Sequence, residues 1–165
     1  MFELKPLSVA AIPAALAKAE RYRLLNEPDQ SQSICEDVLR ADPDNQPALV
    51  MLVLALTDEF AHHHARSASR AQDTVSRLTS EYDRHYYGGL VAERRARALL
   101  DHPGPGARAA VEWLEDAMRA YERADAVSPP DNDDAKLRWN ACARTLNARP
   151  DLLDREERGA PLMNE

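Results

Sequence analysis

Three consecutive histidines, His62, His63 and His64, follow Asp58 and Glu59 by one helical turn, and this is the densest group of metal-ligating side chains in the chain. On one continuous helix Asp58 and His62 stand four residues apart and share a face, a spacing that metal sites use. Successive helical residues, however, point about 100° apart. The three imidazoles therefore diverge and cannot converge on one ion, so a partly solvated helix end is the expectation and no metal is assigned. For His85 and His102 the sequence names no metal-site partner.

The second group is Glu93, Arg94, Arg95 and Arg97 within GLVAERRARALL. Glu93 and Arg97 stand four apart, as a paired solvated helix face requires. The functional alternative is an anion-receptive wall that meets a partner's carboxylates through planar guanidinium groups. Trp113 and Trp139 lie among apolar neighbours and read as core, or otherwise as anchors lining a groove. Gly88 and Gly89 follow Tyr86 and Tyr87 where two glycines weaken a helix, which points to close approach of another helix or, alternatively, to a ligand pocket. Cys35 and Cys142 are far apart and belong to no C-x-x-C pair, so reduced thiols buried on helices are expected, in a cytoplasmic setting. Nucleophile elbows, phosphate-binding glycine loops and H-E-x-x-H are missing from the sequence. No cofactor is implied.

These side chains must be carried by helices. Charged residues make up 30% of the 165, aromatics 5%, and glycine is scarce, a mixture that favours helix. No stretch alternates β-branched and polar residues over a strand's length. The formal charge of −7 argues against nucleic acid, whose phosphates call for a basic stripe. LSVAAIPAALA near the N-terminus is interrupted by a proline and lacks a basic flank, so it reads as a helix face rather than a signal segment. No apolar run reaches 18 residues, so no membrane span is expected.

Apolar periodicity and punctuation predict seven helices, over residues 13–27, 30–41, 46–62, 69–82, 86–100, 107–127 and 132–148. Asp29 and Asn45 are the expected caps of the second and third, and Asn132 opens the last. Residues 1–149 form one helical domain, and residues 150–165 read as a loose tail. The third helix stands out. Leu49, Val50, Met51, Leu52, Val53, Leu54 and Leu56 exceed what one apolar stripe of ~100° can hide.

The phrase ADPDNQPALV recurs as SPPDNDDAKL. Ahead of it, Ser31, Cys35, Val38 and Pro43 repeat the spacing of Ala117, Tyr121, Ala124 and Pro129, while Ala19 and Tyr22 supply a small residue and an aromatic on the preceding helix. Small residues let paired helices approach, and a bulky one fills the gap between pairs. This pattern resembles the tetratricopeptide repeat, a helix–turn–helix unit of ~34 residues that stacks into a right-handed superhelix. The interval from Pro43 to Pro130 holds two such units plus an insertion of roughly 19 residues, for which the DHPGPG and ARSASR segments are the expected places. AERYRLLNEP, YYGGLVAERRARALL and LRWNACARTL also look like a group of short bacterial repeat proteins with no assigned activity.

The resemblance implies an all-α solenoid of about three degenerate repeats with a capping helix, binding a protein or peptide in its concave groove. Arg23, Val50, Met51, Leu54, Asp58, Glu93 and Arg97 would face that groove. The two-carboxylate clamp of some repeat domains does not transfer, because Leu16, Glu20 and Met51 stand where its polar residues are needed, and Lys136 and Asn140 have no unit after them. Two rivals remain. One is a self-associating module whose apolar strip is a homodimer interface. The other is a small-ligand or metal-dependent enzyme built from His62, Glu93 and Arg97.

Overall fold

The computed structural model describes residues 2–101 and 106–150, with the side chains of 61–66 and 107 not included. Among the described residues the secondary structure is helical throughout, with no strand. A 3₁₀ turn, Val9–Ala11, leads into α1 (Ile12–Leu24), followed by α2 (Pro28–Ala41), α3 (Gln46–Asp58), α4 (Phe60–Ser76), α5 (Glu81–Leu100), α6 (Ala107–Ala126) and α7 (Asp134–Asn147). The expected tail, residues 150–165, lies outside the described residues after Pro150. None of the described helices is long and apolar enough to cross a membrane.

Local chemistry explains most boundaries. Pro13 sits in the first turn of α1, where its missing N–H costs nothing. That helix stops at Leu24, earlier than expected, because Asn26 takes a left-handed conformation (φ 61°) and the Glu27 N–H turns back onto the Tyr22 carbonyl at 2.9 Å. Pro28 then begins α2 rather than ending α1, so Asp29 lies in its first turn and is not its cap. Asn45 caps α3 as its type and place require: Oδ1 accepts the Ala48 N–H at 3.0 Å, and Nδ2 donates to Asp42 at 2.9 Å.

The middle of the chain departs from expectation. The helix expected to reach residue 62 stops at Asp58, and Phe60 starts α4 after one intervening residue. Phe60 is 2% exposed, so turning the chain here buries a large ring that a straight α3 would direct elsewhere. The ARSASR segment lies inside α4 and is not an insertion loop. Helices α5 and α6 run to 20 residues each against 13 for α1 and α3, and the DHPGPG segment between them lies largely outside the described residues. Helix α5 starts at Glu81, five residues before the expected start, because the Ser80 hydroxyl accepts the Asp83 N–H at 3.2 Å.

Each helix packs on the next, and α3 also touches both α1 and α5. Leu49, Leu52, Val53 and Leu56 of α3 are buried among these neighbours. A separate cluster joins α5, α6 and α7 around Tyr121, Leu114 and Cys142. Gly89 lets α6 come close: a Cβ there would stand 2.8 Å from the Tyr121 ring and 3.2 Å from the Ala117 carbonyl oxygen. This is the close helix approach that the paired glycines suggested. Gly88 has no such neighbour, its nearest being a Val75 methyl at 3.9 Å.

Candidate functional site

Helix α3 places Val50, Leu54 and Asp58 four residues apart, one above another, with Met51 beside them. Val50, Met51 and Leu54 are half-buried, unlike the fully packed Leu49 and Val53. The stripe ends at Asp58, the last residue of α3. A carboxylate there opposes the negative end of the helix dipole, and two guanidinium groups offset it. Arg23 of α1 donates Nε to Oδ2 at 2.7 Å, and Arg94 of α5 pairs with Oδ1. The same Arg94 nitrogen reaches the Thr57 hydroxyl at 2.9 Å. One carboxylate thus ties α1, α3 and α5 together along a single face.

Glu93 does not belong to that face. Its side chain is 1% exposed and accepts the Tyr121 hydroxyl at 2.7 Å through Oε2. Oε1 is approached by Arg97 at 2.7 Å and by Arg138 at 3.5 Å, as ion pairs without hydrogen-bond alignment. Its expected place on an open groove wall is therefore corrected: Glu93 is a buried tie between α5, α6 and α7. Arg97, about half exposed, leans back onto it as the i, i+4 spacing foretold. Burial pushes the Tyr121 phenol far above its ordinary range, and the Glu93 charge and hydrogen bond push the same way.

The rival constellation of His62, Glu93 and Arg97 shares the Glu93–Arg97 pair just described. The break at Glu59 ends α3 at Asp58 and leaves His62 in α4, so the two do not share the one continuous helix that was expected. The side chains of His62, His63 and His64 lie outside the described residues, and among those described no group of three His, Cys, Asp or Glu could hold a metal. Cys35 and Cys142 are buried and unpaired.

The tryptophans divide. Trp113 is half-buried beneath the Arg95 guanidinium, 3.8 Å from its ring centre, and burial lowers the Arg95 pKa. Trp139 donates its indole N–H to Glu122 at 3.0 Å and lines a cleft of about 260 Å³ between α6 and α7. Local spacing could not find the partners of Arg94 or Tyr121, which lie 36 and 28 residues away.

No protein-family model, curated protein or solved structure matches the chain.

Proposed function

We propose that the chain is a non-catalytic protein-binding module that takes a partner protein or peptide along the face shared by α1, α3 and α5. On this reading α1–α2, α3–α4 and α5–α6 are three hairpins of a tetratricopeptide-type superhelix, and α7 is its cap. Succession of packed helices, with α3 touching α1 and α5, supports that arrangement. The observation that carries the proposal is the Arg23–Asp58–Arg94 chain, which lays three helices side by side under the half-buried Val50, Met51 and Leu54. A partner's apolar side chain covers that strip, while the guanidinium groups at its edge fix orientation. The two buried, unpaired thiols suit a reducing compartment, and the module is proposed to act in the cytoplasm.

Affinity capture from the native host tests this. Wild-type protein is compared with Leu54→Asp and with Leu137→Asp, a leucine 64% exposed on α7. The expected result is a discrete partner retained by the wild type and by the α7 variant and lost with Leu54→Asp. Identical capture by all three contradicts the proposal. Sedimentation equilibrium of the same proteins identifies a second copy as the occupant if Leu54→Asp alone dissociates a dimer.

A further inference from the structure

We propose a second binding site, the cleft between α6 and α7, which receives an arginine side chain from a basic segment of a partner protein. It is lined by Tyr121, Glu122 and Asp125 from α6 and by Ala135, Lys136, Trp139 and Asn140 from α7. Tyr121 and Ala135 are fully buried and close the inner end. Glu122 and Asp125 stand three residues apart, hence on one side of α6. About 260 Å³ admits one long side chain, not a helix. An apolar interior with an acidic rim matches a residue with a methylene stem and a cationic head.

Three further observations point to a guanidinium group. The rim already holds a cation of the chain itself: Lys136 Nζ lies 2.5 Å from Asp133 and 3.7 Å from Asp125. The hydrogen bond to Asp133 raises the Lys136 pKa, and the Asp125 charge adds to it. Asp131 and Asp133 immediately precede α7 and Asp134 opens it, so acidic groups still outnumber Lys136 at this end of the helix. Finally, the molecule contains a model of the contact, since the Arg95 guanidinium lies 3.8 Å over the Trp113 ring. A planar guanidinium can stack on Trp139 and fork onto Glu122, whereas a lysine ammonium offers only a point charge.

The test uses the full chain carrying Trp113→Phe, which leaves Trp139 as the sole fluorescent indole of the two present. The probe is an end-blocked pentapeptide with one arginine between glycines, titrated against the same peptide carrying neutral citrulline. Saturable quenching by the arginine peptide alone is expected. Glu122→Gln should weaken it about tenfold, the loss of one charge-assisted contact on an aromatic wall. Lys136→Ala, which frees Asp125, should strengthen it. Circular dichroism checks each fold, and Asp125→Asn replaces Glu122→Gln if that variant unfolds. Equal titrations with arginine and citrulline, or an affinity untouched by both carboxylate variants, overturn the proposal. Leu54→Asp should leave this binding unchanged, because the cleft is lined only by α6 and α7.

Discussion

The Tyr121 hydroxyl donates to Glu93 Oε2 at 2.7 Å across the interface of α5 and α6, with both side chains almost wholly removed from solvent. A buried carboxylate is tolerable only when its lone pairs are met. Here the phenol meets one oxygen, and Arg97 and Arg138 bring charge to the other. The contact fixes how α6 sits on α5, and through Arg138 how α7 follows.

Tyr121→Phe should therefore destabilise the fold by ~1–3 kcal/mol, since it leaves one carboxylate oxygen without its donor while keeping the ring. Urea unfolding followed by circular dichroism measures this. An unchanged midpoint would mean that water replaces the phenol at no cost.

The paired glycines should respond with opposite signs. Gly89→Ala drives a methyl into the Tyr121 ring and the Ala117 carbonyl and should cost ~1–3 kcal/mol. Gly88→Ala meets only ordinary contact distance and should stabilise by ~0.5–1 kcal/mol, through reduced backbone entropy of the unfolded chain. Two scans of thermal unfolding decide it.

Much of this was legible beforehand. Asn45 before Pro47, and Ser31–Cys35–Val38 before Pro43, are local signals, and they deliver the α2–α3 turn and the inward face of α2. Glu93 and Arg97 met because four residues bring them together. The break at Glu59 was not legible, because LALTDEFAHH contains no proline or glycine and favours helix throughout. The burial of Phe60 marks that turn, and burial of this kind depends on other helices. Ser80, the cap of α5, is a local signal too, but the apolar spacing of the preceding helix runs on to Tyr82 and masks it. Glu93 as a buried tie depends on Tyr121 and Arg138, which no local pattern connects to it.

Alkaline pH should unfold the protein early. Burial pushes the Cys35 and Cys142 thiols from 9.0 up to about 12, and the Tyr87 phenol from 10.0 up to about 12. The native state keeps these protons at a pH where the unfolded chain has released them. Their contribution to stability is full below about pH 9 and is lost as pH climbs toward 12. Urea midpoints should stay level from pH 7 to 8.5 and then fall. At pH 8 a chromogenic disulfide should label neither thiol in native protein and both in denaturant; rapid native labelling would contradict their burial.

Helix α3 should separate folding from binding. Leu52 is 6% exposed, and Leu52→Asp buries a charge without a partner, so no cooperative unfolding transition should remain. Leu54 is half-buried on the stripe that ends at Asp58, and Leu54→Asp should cost only about 1 kcal/mol. Equal damage from both variants, read by circular dichroism, would show that Leu54 belongs to the core.

The most direct measurement of the proposed function is photo-crosslinking in the native host, with a benzophenone side chain in place of Leu54 and, separately, of the exposed Leu137 on α7. A partner seated on the α1–α3–α5 face predicts a discrete protein adduct from position 54 that is missing from position 137. No adduct at position 54, or the same adducts from both positions, would contradict that face as the binding surface.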